Sequence, residues 1–371
     1  MLREGWRVTT LTLPKWFDLH AHFRQGPGMA SYVEAHLAMG CAGVVAMPNT
    51  RPPVSRVAGP NDDEAWSIES YSRMIREAGG ERLSEVIVPL YLTAKTSVGA
   101  IEEGVRRQML KACKYYPPHG TTNAEHGVAI ERWIGSDVFR AMEESGVVLC
   151  IHGEQHGLMG EGYFGSKGNA ETSFYQEWMP RLVDAHPALR IVCEHITTRV
   201  AVEFVRQAPE NVGATVTPQH LLFTTGNLLQ GLCFHLYCLP VVKFEDDQAA
   251  LRKAVTEPGQ NRFFAGTDSA PHAVKATECG CAAGCFTGGY APQLYAQAFE
   301  EAGCNLATAD GAAIFRKFLC ENGAEFYGLP VPSATFRLER IPQATVPVAA
   351  PDGLVIPLPL GMGQEVRWKI A

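Results

Sequence analysis

Short apolar runs alternate with longer segments in which apolar residues recur at helical spacing. Each apolar run is about as long as a buried strand, and several end in a polar residue. This alternation predicts parallel β-strands connected by helices. There are eight such runs: WFDLHAHF (16–23), GVVAMPNT (43–50), EVIVPLYLT (85–93), LKACKYYP (110–117), VVLCIHGE (147–154), RIVCEHIT (190–197), VGATVTPQH (212–220) and RFFAGTDSAPH (262–272).

The segments between the runs predict helices, most clearly at 62–78, 136–145 and 199–207. Eight strand–helix units fit an α/β fold of the closed (β/α)8 TIM-barrel type, whose reactive groups lie at the carboxyl ends of the strands. We predict a single domain over residues 1–371. The Pro- and Val-rich tail from about 331 to 371 has little periodicity, which favours an extended segment packed on the barrel over a second domain.

Composition excludes several classes of function. The 371 residues are 46% hydrophobic and 19% charged with a formal net charge of −7, which is typical of a globular protein with a large core. No basic surface for nucleic acid and no polybasic membrane patch is expected. Apolar runs are too short for a membrane span, and the N-terminal residues lack a signal-peptide pattern. These features predict a cytoplasmic protein.

Eleven cysteines are an unusual number for such a chain. Cys113, Cys150 and Cys193 lie in apolar runs and are interpreted as small buried residues. The odd count, without an export signal, favours a reducing compartment over a disulfide framework. Cys279, Cys281 and Cys285 could suggest structural zinc, but paired Cys-x-x-Cys spacing and a fourth ligand are missing, so a Gly-rich loop is preferred.

The first run contains a pair of histidines that could bind a metal. His20 and His22 are two residues apart on a predicted strand, so both imidazoles leave the same face. Together they could bind a divalent ion, and Asp18 precedes them. Taken alone, the pair is better explained as two ordinary buried or surface histidines, and it becomes informative only together with other ligands.

Three further polar residues end predicted strands on the same face of the barrel. His152 ends the fifth run, His195 ends the sixth and Asp268 ends the eighth. Each has an ordinary alternative, a satisfied core histidine for the first two and a helix N-cap for Asp268. Their coincidence at one barrel face favours a metal site, because a buried acid is costly unless it is paired or bound to metal.

A pair of metal ions normally needs a bridging carboxylate, yet the fourth run ends near Lys114. A lysine buried at a strand position has a depressed pKa, and its neutral amine could add carbon dioxide to form an anionic carbamate. That group would supply two bridging oxygens. An exposed or salt-bridged lysine remains the alternative at this stage.

The whole set of motifs resembles the dihydroorotases, in particular the bacterial-type class within the amidohydrolase superfamily. The resemblance extends from about residue 14 to 330. It is carried by HAHFR (20–24), MPNT (47–50), KYYP (114–117), TTNAEHGV (121–128), LCIHGE (149–154), EHITT (194–198), TPQHLLF (217–223), HLYCLP (235–240) and GTDSAPH (266–272).

The resemblance implies a role for each matching residue. Two divalent ions, expected to be Zn²⁺, would be bound by His20, His22, Lys114, His152, His195 and Asp268, with Lys114 as N6-carboxylysine and Asp268 also as general acid and base. Arg24, Asn49 and His272 would bind the substrate carboxylate. Further substrate contacts would come from the Leu239 backbone, from the stretch around Ala282 and Gly284, and from a mobile loop bearing Thr121 and Thr122.

The implied reaction is the interconversion of N-carbamoyl-L-aspartate and L-dihydroorotate in pyrimidine biosynthesis, by a homodimer. Other cyclic-amide hydrolases with the same centre, of the hydantoinase or allantoinase type, are the nearest alternative. Arg24, Asn49 and His272 favour an acidic substrate instead. A catalytically silent homologue, or a structural metal-binding protein, fits less well because the predicted ligands are complete and come from five strand ends.

Overall fold

The eight predicted runs form the strands of a barrel in the computed structural model, which describes residues 9–58 and 66–371. A separate strand, β1 (Thr10–Pro14), precedes them. All barrel strands pair in parallel with their neighbours. They are β2 (Trp16–Ala21), β3 (Cys41–Ala46), β4 (Glu85–Ile87) continued by β5 (Leu90–Tyr91), β6 (Ala112–Tyr115), β7 (Val148–His152), β8 (Ile191–Glu194), β9 (Val212–Val216) and β10 (Phe263–Ala265).

The barrel closes between its first and last strands, just beyond the end of β10. The Asp268 amide donates to the His20 carbonyl at 2.8 Å, and the His22 amide donates to the Ser269 carbonyl at 2.9 Å. A parallel bridge pairs Ala21 with Ser269. The closure therefore holds three predicted site residues together through the backbone alone.

Helices follow most strands and cover the outside of the barrel. They are α1 (Met29–Ala38), α2 (Ile68–Glu77), α3 (Val98–Arg106), α4 (Asp137–Ser145), α5 (Ala170–Ala185), α6 (Arg199–Gln207), α7 (Pro218–Leu222), α8 (Thr225–Leu229), α9 (Glu245–Thr256), α10 (Ala291–Glu301), α11 (Ala309–Arg316) and α12 (Asn322–Tyr327). A π-helical turn, Lys317–Glu321, joins the last two. None of the helices within the described ranges is both long enough and apolar enough to cross a bilayer.

The three helices predicted from sequence are confirmed, and each begins at a hydroxyl cap. The Ser67, Ser136 and Thr198 side chains accept from backbone amides in the first turns of α2, α4 and α6. The predicted start of the first helix at residues 62–65 lies outside the described residues.

Apolar side chains fill both the inside and the outside of the sheet, as a parallel barrel requires. The inner cluster includes Phe17, Leu19, Val148, Val192 and Phe264, all buried. α12 contributes Ala324 and Tyr327 to the same cluster. This packing supports the strands, so side chains at their carboxyl ends are anchored on a rigid base.

The C-terminal segment packs around the barrel in short extended pieces. After a small hairpin of β11 (Ala276–Thr277) and β12 (Gly280–Cys281), the tail contains β13 (Thr335–Glu339), β14 (Val348–Ala350), β15 (Gly353–Val355), α13 (Leu358–Gly361) and β16 (Lys369–Ile370). β13 pairs antiparallel with both β1 and β16. The Trp368 side chain beside β16 is fully buried.

The cysteines are free thiols throughout the described chain. Cys113, Cys150 and Cys193 are buried on the barrel strands, as predicted. Cys279 is exposed, Cys281 is half-buried and Cys285 is buried. Among the described residues, these three cysteines are not part of a group of histidines, cysteines and acids close enough together to bind a metal ion.

Candidate active site

His20, His22 and Asp268 form a buried cluster at the closure of the barrel. The His22 Nε2 lies 3.0 Å from Asp268 Oδ1, and the His20 Nε2 lies 3.5 Å from the same oxygen. One ligand atom from each residue falls within 4.8 Å of the others. The structure thus brings together the two residues of the His-x-His motif and an acid nearly 250 positions away. No helix begins at Asp268, which excludes its alternative role as an N-cap.

The other two predicted histidines continue this cluster across the barrel. The His195 ring centroid is 4.8 Å from that of His20 and 4.8 Å from that of His152. All these rings are buried. His152 is the last residue of β7, and His195 directly follows β8. Four imidazoles therefore line one end of the barrel in contact with one another.

Lys114 lies in β6, fully buried beside the histidines. Its Nζ has no hydrogen-bond partner among the described residues and lies 5.1 Å from the centre of the Tyr116 ring. Burial lowers the pKa of its amine, against the opposing effect of the Glu194, Cys150 and Asp268 charges. An exposed or salt-bridged lysine, the alternative considered above, does not fit this environment.

Two carboxylates that were not predicted from the sequence, those of Glu194 and Glu154, lie within hydrogen-bonding distance of two of the histidines. The Glu194 Oε2 lies 2.7 Å from His20 Nδ1 and also accepts from the Thr215 hydroxyl at 2.6 Å. The Glu154 Oε2 lies 2.7 Å from His152 Nε2. Carboxylates in this position typically orient metal-binding imidazoles. Each glutamate adjoins or nearly adjoins a predicted ligand, in EHITT and HGE, but their contacts depend on the fold.

The backbone is strained at two of the cluster residues. His195 has φ of 39° and Asp268 has φ of 49°, in the left-handed region that side-chain-bearing residues rarely occupy. The Thr215 hydroxyl accepts from the His195 amide at 2.7 Å, and the His20 carbonyl accepts from the Asp268 amide. Strain of this kind concentrates at functional sites, where surrounding contacts enforce it.

Burial and the neighbouring positive charges keep the imidazoles of His22 and His195 neutral. Burial lowers the pKa of His22 to about 4, despite its hydrogen bond with Asp268. Burial and the neighbouring His152 and His20 hold the pKa of His195 well below its usual range. Burial alone would raise the pKa of Asp268, but the hydrogen bond from His22 and the charges of the histidines bring it to about 2.

This pattern, with neutral imidazoles at His22 and His195 and an ionised carboxylate at Asp268, is the one that divalent metal binding requires. Two buried nitrogens, His195 Nδ1 and Lys114 Nζ, have no hydrogen-bond partner among the described residues. Unsatisfied buried donors and acceptors are rare unless a ligand or ion completes them. The residues present therefore fit a divalent metal centre.

Arg24 and His272 lie next to this centre, on the chain just beyond His22 and Asp268. The Arg24 guanidinium nitrogen lies 3.3 Å from His272 Nε2, and its Nε donates to the Pro271 carbonyl at 3.4 Å. Burial, followed by the charge of Arg24, lowers the pKa of His272 to about 3. An arginine beside a neutral imidazole is suited to bind a carboxylate.

The predicted loop residues pack over the same side of the site. The Asn49 side-chain amide donates to the Thr122 carbonyl at 2.9 Å, and its Oδ1 is buried without a partner in the described structure. The Thr122 hydroxyl donates to the Ala283 carbonyl at 3.5 Å. Thr121 is half-buried beside it. Asn49 thus joins the threonine loop to the barrel.

The predicted backbone contacts near Leu239 and Ala282 are only partly brought to this side. Leu239 lies in a segment held to Gly284 by the bond from the Gly284 amide to the Tyr237 carbonyl, at 2.9 Å. The Ala282 carbonyl instead accepts from the Lys275 ammonium at 2.6 Å. It is the Ala283 carbonyl that faces His272, at 2.8 Å from Nε2. Ala283 and Lys275 were not selected from the sequence.

Comparison with known proteins gives a consistent result, although no family model matches the chain. The dihydroorotase of Halorhodospira halophila is 38% identical over 366 residues, covering 98% of this chain and 99% of its own. The dihydroorotase of Laribacter hongkongensis is 40% identical over 368 residues, with 98% and 99% covered.

Solved structures agree with these relatives. Saccharomyces cerevisiae dihydroorotase, in complex with 5-fluoroorotic acid, superimposes with a TM-score of 0.84 at 25% identity, covering 98% of this chain and 99% of its own. An L-hydantoinase from Arthrobacter aurescens has a TM-score of 0.71 at 16% identity, covering 96% and 82%, which demonstrates the shared fold only.

These similarities confirm the predicted amidohydrolase-type TIM barrel and indicate a metal-dependent enzyme. Because the identity exceeds 35% over essentially the full length of both chains, relatedness does not rest on isolated motifs. The chain belongs to the dihydroorotase family.

Proposed function

We propose that this chain interconverts N-carbamoyl-L-aspartate and L-dihydroorotate, in the ring-closing step of pyrimidine biosynthesis. The observation that carries this proposal is the position of the Arg24–His272 pair beside the buried histidine and aspartate cluster. This arrangement places residues that can bind a carboxylate beside residues that can catalyse the formation or hydrolysis of an amide. Both substrates carry the α-carboxylate of their aspartyl unit, which is separated from the reacting carbonyl by about two carbon atoms.

The metal centre proposed here contains two divalent ions, with zinc suited to the nitrogen and oxygen donors. His20, His22 and Asp268 would hold one ion, and His152 and His195 the other. Lys114 would join the two as a carbamate, formed when its neutral amine adds carbon dioxide and releases a proton. Its full burial, lowered pKa and unpaired Nζ support this modification.

When bound, the ions would lower the pKa of a water molecule and polarise the reacting carbonyl. Asp268 is the general base and acid in this proposal, since it is ionised and lies within 3.5 Å of two imidazoles. In the hydrolytic direction it takes the proton from the attacking water and gives it to the departing amide nitrogen. In the cyclising direction the same carboxyl delivers a proton to the departing water.

The remaining predicted residues would bind and enclose the substrate. Arg24, Asn49 and His272 would hold the carboxylate, Arg24 through paired N–H donors. Backbone atoms of Leu239 and of the segment at Ala282 would contact the ring amides. Thr121 and Thr122 would exclude water and donate hydrogen bonds to developing charge.

The proposed function also has consequences for the oligomeric state and cellular location of the protein. By similarity to the bacterial-type class we propose a homodimer that acts in the cytoplasm on small molecules, without nucleic-acid or membrane partners. Hydantoinase-type activity remains the alternative that shares the fold. The pairing of Arg24 with His272 favours an acidic substrate over hydantoin or allantoin, which lack a carboxylate.

Absorbance-monitored turnover separates these functions. Purified protein is assayed with L-dihydroorotate, hydantoin and allantoin at equal concentrations. We expect turnover of L-dihydroorotate, with the other two rings slower by at least about a hundredfold, because they leave Arg24 without a partner. Comparable or faster turnover of hydantoin or allantoin would contradict the proposed substrate.

A further inference from the structure

Lys275 is a buried lysine outside the proposed metal centre, at the edge of the loops that flank the site. Its ammonium donates to three carbonyls, those of Tyr237 at 2.7 Å, Ala282 at 2.6 Å and Gly284 at 2.5 Å. No carboxylate pairs with it in the described chain. An ammonium has three N–H donors, so these carbonyls satisfy its full hydrogen-bonding capacity.

The three acceptors come from both segments next to the proposed substrate. Tyr237 precedes Leu239, while Ala282 and Gly284 stand on either side of Ala283. Two backbone bonds accompany the lysine, from the Ala282 amide to the Lys275 carbonyl at 2.8 Å and from the Gly284 amide to the Tyr237 carbonyl at 2.9 Å. Lys275 is therefore the side chain at which the two segments meet.

The carbonyls of Ala282 and Gly284 point toward Lys275, but the carbonyl between them does not. Neighbouring carbonyls of the Ala282–Gly284 segment have different partners. The carbonyls of Ala282 and Gly284 point to Lys275, whereas the intervening Ala283 carbonyl accepts from the Thr122 hydroxyl and faces His272 Nε2 at 2.8 Å. By taking the two alternate carbonyls, Lys275 sets the orientation of the third, which faces the site.

Gly284 contributes to this arrangement because its backbone conformation and lack of a side chain allow the segment to lie close to His272. Its φ of +137° is accessible to glycine, and an added Cβ would lie 2.6 Å from the Ala270 Cβ and 3.0 Å from His272 Nε2. The backbone of this segment thus approaches His272 as closely as packing allows.

We propose that Lys275 is a positioning residue for substrate binding, which holds the Ala282–Gly284 and Tyr237–Leu239 segments in the orientation that places the Ala283 carbonyl against His272 and Thr122. The inference rests on the proposed function, because it takes His272 and Thr122 as substrate-binding residues. It assigns no chemical step to Lys275. The expected effect is therefore on substrate affinity and not on the proton transfers.

The test compares Lys275→Met with the matched surface variant Lys253→Met, since Lys253 is exposed on α9. Steady-state kinetics with L-dihydroorotate and calorimetric binding of 5-fluoroorotic acid are measured for each, together with metal content. For Lys275→Met we expect KM and the Kd of 5-fluoroorotic acid to rise about tenfold or more, because buried carbonyls lose their donor. We expect kcat to change less than about threefold, and metal content to match wild type.

A purely structural lysine would lower thermal stability and leave KM and Kd within twofold of wild type, and that result would overturn the proposal. Loss of metal in parallel with activity would overturn it as well. If Lys275→Met does not fold, Lys275→Gln keeps N–H donors without the charge and is judged by the same criteria. Turnover of L-dihydroorotate by the wild-type protein tests the proposed function separately. The role of Lys275 is tested by the ratios of KM and Kd between the variant and the wild type.

Discussion

The two sides of the candidate site are built in different ways. On the metal side, His20, Lys114 and His152 lie within barrel strands and are buried. On the substrate side, Thr122, Ala283 and Lys275 lie in connecting segments joined by a few side-chain-to-backbone hydrogen bonds. The strand side is held by the barrel core, and the loop side by hydrogen bonds between its segments, from side chains and from backbone amides.

Because the two sides are built differently, we expect mutations on each side to affect different properties of the enzyme. Changes on the strand side should remove metal or chemistry while the substrate groups stay in place. Changes on the loop side should weaken substrate binding while the metals stay bound. The following variants test that separation, in order of decreasing expected effect.

Replacement of Asp268 should have the largest effect. In Asp268→Asn the volume is kept but the carboxylate that moves protons is lost, so we expect kcat to fall by about 10³-fold or more in both directions. Initial rates from L-dihydroorotate and from N-carbamoyl-L-aspartate measure this. Substantial residual activity in either direction would count against the acid and base role.

Replacement of Lys114 should separate metal binding from folding. Lys114→Met keeps an apolar chain in a fully buried position but cannot form a carbamate, so we expect metal affinity to fall at least about tenfold and activity with it. Metal analysis and carbon-13 NMR of protein equilibrated with labelled bicarbonate measure the two effects. Lys111→Met, on the exposed residue that precedes β6, is the control. Retention of full metal content by Lys114→Met would argue against the bridge.

Replacement of Arg24 acts on the substrate side. Arg24→Lys keeps the charge but loses the paired, planar donors, so we expect KM for N-carbamoyl-L-aspartate to rise about tenfold or more with normal metal content. Arg140→Lys, at an exposed position of α4, serves as control. An unchanged KM would remove Arg24 from the carboxylate site.

Replacement of Thr122 should give the smallest effect. Thr122→Val preserves the shape of the side chain but removes the hydroxyl that donates to the Ala283 carbonyl. The loss of one hydrogen bond corresponds to a fall of about three- to tenfold in kcat/KM. Steady-state kinetics detect it. A fall of the size expected for Asp268→Asn would contradict this expectation, because the loss of one hydrogen bond to the Ala283 carbonyl cannot account for it.

The strand side could be predicted from the sequence because two simple rules determine it. Apolar runs such as those ending at His152 and His195 form buried parallel strands, and the carboxyl ends of such strands meet at one barrel face. Residues far apart in sequence, such as His20 and Asp268, could therefore be expected together. The barrel and the helix positions follow from the same periodicity.

The supporting contacts could not be predicted because they depend on side-chain direction across neighbouring strands. Glu194 bonds to His20, 174 positions away, although it adjoins His195 in sequence. The strained φ of His195 and Asp268 likewise arises from tertiary contacts and leaves no local pattern.

The loop side was the least predictable part for a related reason. In the 275–284 segment a shift of one residue reverses the direction of a carbonyl, so Ala282 and Ala283 face different partners. No periodicity fixes that register. It is set by Lys275 and Gly284, whose contacts appear only in three dimensions.

The most direct test of the account is the number of divalent ions bound by fully active enzyme. Purified protein is analysed for metal by mass spectrometry while its turnover of L-dihydroorotate is measured on the same sample, before and after chelation and re-addition of Zn²⁺. We predict about two ions per chain, with activity lost and regained in step with occupancy. Full activity with a single ion per chain would contradict the binuclear centre at His20, His22, Lys114, His152, His195 and Asp268.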